Sequence, residues 1–379
     1  MDFALNEEQV MFQSMFRDFA QQEIAPHARE TDEHEALPEG LLEKAAEQEL
    51  LGAALPEKFD GAELDWVSIC LLMAELGRAC LSTAAVIASH ANLAALTILD
   101  AGTDEHRRSY LPSMASGEVI GAFALTEPQA GSDWNAIQTS ATLQGDGYIL
   151  QGVKSWVVNG SIAGLYIVFA RAPGGITAFL LPAGVPGLHI GYRERTMGLR
   201  GCQIHALYLK GCRVPEADRL GAEGEGLAIA ARALPRYQIA IAAAALGVSE
   251  AALQEGKQFA VERKQFGVAI ATKQAIGNYF ADSIVEIETL RHLVLHSAWK
   301  MDEGTISPSD LAIVKLHSAR VARTVANRMV QVHGGYGFSN EYSVSRIYRD
   351  VRALDVMGGT DQLQQATLAR NYFQGALVD

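Results

Sequence analysis

The sequence predicts an α+β fold in which an antiparallel β domain lies between two helical domains. Residues 1–117 carry apolar side chains at helical spacing. From residue 118 the chain consists of short β-branched and aromatic runs separated by glycine and proline. Long helical segments return from residue 226. We therefore predict an N-terminal helical domain at 1–117, a central β barrel or sandwich at 118–225, and a C-terminal helical bundle at 226–379.

The composition is that of an ordinary soluble globular protein. With 379 residues, of which 49% are hydrophobic and 20% charged, the chain can form two or three domains around a sizeable core. A net charge of −13 would repel a nucleic-acid backbone, so we expect no nucleic-acid partner. The acidic N-terminus does not have the pattern of a signal peptide, and the run 239–248 is too short to cross a bilayer. We expect a cytoplasmic protein without a membrane span.

The cysteines and histidines do not predict a metal site. Cys70, Cys80, Cys202 and Cys212 form no C-x-x-C pair, which favours scattered, buried thiols in a reducing compartment. His333 has no acidic or cysteine partner at ligand spacing, and we interpret it as structural.

In the N-terminal region, Asn6 and Gln9 have the spacing of a capping box, and Pro26 marks the end of the helix that follows. Further helices are predicted at 41–51, twice within 65–101, and from Thr103 to about Gly117. In the β region we predict strands at 119–126, 147–158, 165–172, 176–181 and 204–214. The C-terminal helices are predicted at 226–262, 272–302, 308–333, 340–354 and 361–376, with Pro235 starting or kinking the first of them.

Five segments of the chain have residues suited to binding a polar, planar ligand. Hydroxyls and turn N–H groups at 125–133 suit a phosphate, and the indole within 154–160 can wall a slot for a flat ring. An arginine beside a helix break at 262–267 suits a pyrophosphate, while the glycines of 331–337 and 346–362 allow close backbone approach. Taken singly, each segment is more typical of an ordinary loop, a core strand end or a helix cap.

Taken in order, the segments form a specific pattern: T-E-P-x-A-G-S-D, K-x-W-x-x-N-G, R-x-x-F-G, Q-x-x-G-G-x-G, and Y-R-D followed after eight residues by G-T-x-Q. The whole chain thereby resembles the acyl-CoA dehydrogenase family of flavoproteins. The resemblance implies a fold with an N-terminal helical domain, a central β domain and a C-terminal four-helix bundle. It also implies assembly as a homodimer or as a dimer of dimers.

The resemblance further implies FAD as cofactor, with contacts from three parts of the chain. Those expected in the β domain are Leu125, Thr126, Gly131, Ser132, Trp156 and Val158. Those expected at the last helix, at the pyrophosphate, are Thr360 and Gln362. Those expected to reach the cofactor of a neighbouring subunit are Arg263, Phe266, Gln274, Gln331 and Gly335.

The pattern departs from the family where the reaction takes place. In most members a glutamate before the Gly-Thr pair removes the substrate's α-proton; that position is Gly358. The alternative base position of a minority branch is Tyr237, followed by Gln238 in place of arginine. The hydroxyl usually offered to the flavin is replaced by Val158, and an aspartate that contacts the pantetheine arm by Pro235.

Three hypotheses follow. The first is an FAD-dependent acyl-CoA dehydrogenase that carries out α,β-dehydrogenation of an acyl thioester with a relocated base, for which Asp355 and Asp361 are the nearest carboxylates in sequence. The second is different chemistry on the same fold, as in a flavin monooxygenase. The third is a base-less partner subunit in a hetero-oligomer with a homologue. The thioester carrier, CoA or a carrier protein, is left open, and electron-transferring flavoprotein is the expected electron acceptor.

Overall fold

A computed structural model describes residues 4–373 of the protein. The N-terminal domain is helical, as predicted. Its first helix begins after Asn6, whose side chain accepts a 2.8 Å hydrogen bond from the Gln9 N–H, while Gln9 Oε1 accepts one of 3.1 Å from the Asn6 N–H. The helices are α1 (Glu7–Phe19), α2 (Ala28–His34), α3 (Leu41–Glu47), α4 (Trp66–Ala79), α5 (Leu81–Ile87), α6 (Leu96–Ala101) and α7 (Asp104–Ala115).

A π-helical segment, Ala88–Ala95, joins α5 to α6. The resulting stretch Leu81–Ala101 has the length and apolar composition of a membrane-crossing helix. All of its most apolar 18-residue window is buried inside the protein, as in the core helix of a globular domain. It is the one stretch of this kind within residues 4–373.

The central domain is built on one eight-stranded sheet with the order β6-β7-β3-β2-β4-β5-β8, in which β1 also pairs with β4. Its strands are β1 (Gly121–Ala124), β2 (Ser140–Gln144), β3 (Gly147–Val157), β4 (Leu165–Ala172), β5 (Gly175–Pro182), β6 (Leu188–Arg193), β7 (His205–Pro215) and β8 (Arg219–Leu220). The pairing is antiparallel, as predicted, except that β4 pairs in parallel with β1 and with the start of β2. The sequence did not predict β2, β6 or β8.

The C-terminal domain consists of α8 (Gly226–Glu262), α9 (Gln274–Asp302), α10 (Pro308–His333), α11 (Ser343–Val351) and α12 (Asp361–Phe373). A short two-stranded β-ribbon, in which Lys264–Gln265 pairs with Val268–Ala269, connects α8 to α9. The helix α8 runs through Pro235, which lies inside it and does not start it. Of the helix predicted at 361–376, the last three residues lie outside the described part of the chain.

The two helical domains join where α4 crosses α8. A Cβ atom at Gly247 of α8 would lie 1.8 Å from the carbonyl oxygen of Ala74, and one at Gly77 of α4 would lie 2.3 Å from that of Ala244. Only glycine allows this approach of the two backbones. The long helix α8, which carries Tyr237, is thereby fixed against the N-terminal domain.

Candidate functional site

A buried ion pair ties the loop after β1 to β3. Lys154 Nζ donates hydrogen bonds to Glu127 Oε1 at 2.7 Å and to the Leu125 carbonyl at 3.2 Å. The Glu127 carboxylate also accepts the N–H groups of Gln138 and Thr139 at 2.7 and 3.0 Å. Burial acts to raise the pKa of Glu127, but these hydrogen bonds outweigh it and lower that pKa. The loop that carries the predicted site residues 125–132 is therefore anchored to the strand that carries Trp156.

Trp156 is turned out of the sheet at this point. Its backbone has φ +58°, a left-handed conformation that bulky residues rarely adopt, and its side chain is 57% exposed. The register of β3 against β7 shifts between Lys154 and Val157, so the tryptophan sits on a bulge. Next to it, the Ser155 N–H donates to the Thr126 carbonyl at 3.0 Å. The strand end thus places an indole face in solvent beside Thr126.

The other predicted residues of the β domain lie around this position. Gly131 and Ser132 are exposed in the same loop, Leu125 is buried, and Val158 is half-buried against the core. We find the loop and the strand end side by side, as the motifs imply. The contacts of these residues with a cofactor stay a prediction.

A second part of the site is a cleft of about 750 Å³ at one end of the C-terminal domain. It lies between the end of α8, the start of α9 and the turn after α10. The residues that line it are Phe259, Arg263, Gln265, Phe266, Ile270, Lys273, Ile276, Val332, His333, Gly334, Gly335 and Tyr336. Three of the five residues predicted to act on a neighbouring subunit's cofactor, Arg263, Phe266 and Gly335, are therefore brought together here.

The cleft combines aromatic rings with two cations. The Arg263 guanidinium lies 5.2 Å from the Tyr336 ring centre, and Lys273 Nζ lies 5.6 Å from that of Phe266. Within residues 4–373, neither cation forms an ion pair with a carboxylate. Phe266 has φ +54° and is 93% exposed, so that its ring contributes almost nothing to the core. Unpaired cations beside exposed rings suit a ligand with phosphates and a planar base.

Gln274 and Gln331 flank the cleft without lining it. Gln274 is exposed at the start of α9, next to the lining residue Lys273. Gln331 is exposed one residue before the lining residue Val332, in the last turn of α10. Lys273 and Tyr336 also line the cleft but are not among the predicted site residues. The signals in the sequence were a cation at a helix start and an aromatic residue inside the glycine-rich turn.

Thr360 and Gln362 lie at the start of α12. Thr360 Oγ1 accepts the Leu363 N–H at 3.3 Å, which makes Thr360 the cap of the helix. Gln362 is exposed and lines a smaller cavity of about 250 Å³. Its other lining residues are Arg320, Arg323, Arg352, Asp355, Val356, Asp361 and Gln365.

The two carboxylates that the sequence offered as a relocated base are engaged elsewhere. Asp355 forms ion pairs with Arg323 and Arg352. Asp361 accepts a hydrogen bond from the buried Lys315 at 3.3 Å. Both carboxylates are buried. Neither is a free base, which argues against the relocation that sequence alone left open.

Gly358, the usual position of the base, faces α8. It has φ +66°, and the three atoms nearest to an ideal Cβ there are Gln238 Cγ at 3.3 Å and two carbons of the Tyr237 ring at 3.5 and 3.8 Å. Gln238 Nε2 donates a 2.6 Å hydrogen bond to the Gly358 carbonyl. Gln238 and Gly358 are 120 residues apart in sequence. The usual base position, Gly358, therefore packs against the alternative base position, Tyr237, and the residue that follows it.

The fold and this site define a class of protein, in which a β domain lies between two helical domains and a cleft large enough for a nucleotide opens at one end. Family comparisons agree. The N-terminal, middle and C-terminal domains of acyl-CoA dehydrogenase match residues 6–118, 122–212 and 224–373. The chain belongs to the acyl-CoA dehydrogenase family, whose members are FAD-dependent oxidoreductases of acyl-CoA.

Similar proteins cover the full length of the chain. The short-chain specific acyl-CoA dehydrogenase of Clostridium acetobutylicum is 37% identical over 99% of this chain and 100% of its own. The butyryl-CoA dehydrogenase structure from Megasphaera elsdenii superposes with a TM-score of 0.95 at 35% identity, with 100% of both chains covered. A chain in a structure described as the electron transferring flavoprotein of Acidaminococcus fermentans superposes with a TM-score of 0.96 at 36% identity, also with 100% of both chains covered.

The residues present fit FAD. Trp156 and Phe266 hold large rings in solvent on strained backbone, an arrangement that a planar ligand would stabilise. Arg263 and Lys273 supply positive charge at the cleft where phosphates would lie. The two parts of the site therefore offer the ring surfaces and the charges that a flavin dinucleotide needs.

Proposed function

We propose that the protein holds the flavin end of FAD against Trp156 and Thr126 and acts on an acyl thioester. The observation that carries this placement is Trp156 itself, whose 57% exposed indole stands on a backbone with φ +58°. Such strain persists only where the surrounding structure imposes it, and it clusters at ligand sites. The Lys154–Glu127 pair supports the placement because it fixes the loop of Thr126 to the same strand.

We assign the 750 Å³ cleft to the adenosine and phosphate end of a FAD bound by a neighbouring copy of the chain. Arg263 and Lys273 would pair with the phosphates, and Gly335 would let the backbone approach the nucleotide. Gly335 has no atom within 4 Å of an ideal Cβ position, so this backbone is open to a ligand. The site would then be completed between subunits, as a homo-oligomer or as a hetero-oligomer with a homologous chain.

When bound, FAD supplies the acceptor for a hydride from the β-carbon of the acyl group. The chain's own contribution is to bind and orient the thioester and to exclude water. Among the positions that the sequence offers for the base, none provides a free carboxylate to remove the α-proton, since Gly358 has none and Asp355 and Asp361 are held in ion pairs. Electron-transferring flavoprotein is the proposed acceptor of the electrons, in the cytoplasm.

A second candidate function is a partner subunit that lacks the base. It is favoured by one specific observation: the chain keeps a cleft with Arg263, Phe266 and Gly335 for a neighbour's cofactor, whereas the usual base position is Gly358, packed against Tyr237 and Gln238. Such a subunit would complete the FAD site of a homologue that carries the glutamate.

The test is an absorbance spectrum of the purified protein under anaerobic conditions, before and after a panel of acyl-CoA thioesters. A yellow protein whose flavin is bleached by a short-chain acyl-CoA supports the first function. A colourless protein that turns yellow only when co-purified with a homologous dehydrogenase supports the second. A yellow protein that no thioester bleaches, and that consumes oxygen when a reductase supplies electrons, would overturn both in favour of monooxygenase chemistry.

A further inference from the structure

The turn before α12 packs closely against α8. Gly358 of the turn meets two consecutive residues of α8, Tyr237 and Gln238. Gln238 Nε2 donates to the Gly358 carbonyl at 2.6 Å, and a Cβ at the following Gly359 would lie 2.9 Å from Gln364 Nε2. The turn therefore has amide side chains packed on it from both helices, Gln238 from α8 and Gln364 from α12.

The Tyr237 ring lies against the position that the Cβ of a side chain at 358 would take. A Cβ at Gly358 would lie 3.5 and 3.8 Å from Tyr237 Cδ1 and Cε1, and 3.3 Å from Gln238 Cγ. The Cβ alone is near ordinary van der Waals contact. The four heavy atoms of a glutamate beyond Cβ, which are Cγ, Cδ and two oxygens, would compete with the ring for space, which costs stability as overpacking does.

Tyr237 is also held at its far end. Its ring is 6% exposed, and the Ser89 hydroxyl lies 3.5 Å from the Tyr237 hydroxyl, from the π-helical segment 88–95. The tyrosine thus spans the distance between the turn at Gly358 and the N-terminal domain. It cannot swing aside without leaving both contacts.

The tyrosine does not replace the lost carboxylate as a base. Burial raises the pKa of the Tyr237 hydroxyl well above its ordinary range, so that it stays protonated and neutral. The neighbouring Gln238 is an amide without a titratable proton. The two side chains of α8 that contact Gly358, Tyr237 and Gln238, are therefore uncharged.

We infer that Tyr237 occupies the place of the family's proton-removing carboxylate, so that this site excludes a glutamate at position 358 as long as the tyrosine is present. The chemical part of this inference, the missing base, rests on the proposed function. The steric part, the packing of Tyr237 at position 358, does not. It makes Tyr237 a residue that determines which chemistry the site supports. A single Gly358→Glu change would not restore a base in its productive position, whereas the same change with Tyr237→Ala would.

The experiment is a double-mutant cycle read by thermal unfolding of the full-length protein. Its variants are Gly358→Glu, Gly358→Ala, Tyr237→Ala and the two double variants. Gly358→Ala is the matched control, because it introduces the positive-φ strain and the Cβ contact without the longer side chain. With Tyr237 present, Gly358→Glu should lower Tm by about 5 °C more than Gly358→Ala. With Tyr237→Ala, this difference should fall to about 1 °C.

The difference between Glu and Ala at position 358 decides the steric inference. If the difference in Tm between Gly358→Glu and Gly358→Ala is the same with Tyr237 as with Tyr237→Ala, the inference is overturned, because Tyr237 would then not occupy the space. A second measurement is the rate of flavin bleaching by butyryl-CoA. This rate should be about 100-fold higher in Gly358→Glu/Tyr237→Ala than in Gly358→Glu. Fast bleaching by Gly358→Glu alone would also overturn the inference. A coupling in Tm without bleaching in any variant would refute the proposed acyl-CoA chemistry and leave the steric inference supported.

Discussion

Lys154 Nζ lies 2.7 Å from Glu127 Oε1 in the interior of the β domain, where the two side chains are 0% and 2% exposed. Both charges are buried, and each is compensated by the other. Such a pair adds little net stability compared with apolar side chains, but removal of one partner leaves the other charge buried and unpaired. In this protein the Lys154–Glu127 pair fixes the relative position of two segments, because it joins the loop of Thr126 to the strand of Trp156.

We predict that Glu127→Gln lowers the free energy of unfolding by about 3 kcal/mol, because the Lys154 charge stays buried without its partner. It should also weaken FAD binding, since the loop that carries Ser132 loses its anchor. Denaturant unfolding and a FAD titration measure the two effects. The control is Asp146→Asn, whose exposed side chain pairs with Arg213 on the surface and should change neither quantity measurably. Similar results for the two variants would contradict the assigned role.

Trp156 is expected to show opposite effects on stability and on cofactor binding. Trp156→Gly removes a side chain that is 57% exposed and relieves a backbone at φ +58°, so the Tm of the apoprotein should stay the same within about 2 °C or rise. The FAD dissociation constant should rise about tenfold, because a stacking surface is lost. Tyr192→Ala, at a similarly exposed aromatic residue of β6, should leave FAD binding unchanged. A large loss of Tm in Trp156→Gly would mean that the ring serves the fold.

Arg263 should contribute to cofactor binding through charge. Its guanidinium lies over Tyr336 in the cleft. We predict that Arg263→Ala raises the dissociation constant for FAD at least tenfold and makes binding less dependent on salt, because an ion pair with phosphate is screened by salt. Titrations with FAD and with ADP at several ionic strengths test this. Equal losses for ADP and FAD would place the arginine at the adenosine end, and a salt dependence identical to that of the parent protein would refute the phosphate contact.

Asp350 should give the protein a pH-dependent stability. Its carboxylate accepts the Leu199 N–H at 2.7 Å and lies 3.7 Å from the Arg346 guanidinium, and it is 1% exposed. Burial outweighs these partners and raises the pKa of Asp350 from 3.8 to about 6. Between about pH 4 and 6 the folded state binds a proton that the unfolded state has released, so this group's contribution to stability falls as the pH rises through that window.

The variant Asp350→Asn keeps an oxygen acceptor for the Leu199 N–H but does not titrate. We predict that the unfolding free energy of the parent protein, relative to that of Asp350→Asn, decreases between pH 4 and 6 by on the order of 2 kcal/mol. Denaturant unfolding at a series of pH values measures the difference. A difference that grows with pH would mean that Arg346, Arg349 and the Leu199 N–H, which lower the pKa of Asp350, outweigh burial and the like charge of Asp32, which raise it.

Much of the fold could be predicted from sequence because the local signals were strong. The helices of both outer domains have apolar residues at helical spacing, and Asn6 caps α1 as its pattern indicates. The missed strands lacked such signals. Strand β6 exposes Ile190 and Tyr192 and shows no clear alternation, while β8 has two residues and exists only because it pairs with β5.

The site was predicted as a set of motifs but not as an arrangement. The motifs gave Arg263, Phe266 and Gly335, and the structure brings these three together in one cleft. They did not give Lys273 and Tyr336 as lining residues, nor the exposed, strained state of Phe266. Exposure and backbone conformation depend on which surfaces pack together, and the residue types alone do not encode that.

By itself, the sequence determined that this chain has the family's three domains, its cofactor motifs, and a glycine in place of the usual carboxylate. Only the tertiary structure decided what stands where that carboxylate would be. Gln238 and Gly358 are 120 residues apart, and they meet because α8 and the turn before α12 pack against each other in the folded chain. The physical reason is that burial brings distant segments into contact, so a missing side chain at one position is understood only from the side chain that fills its space.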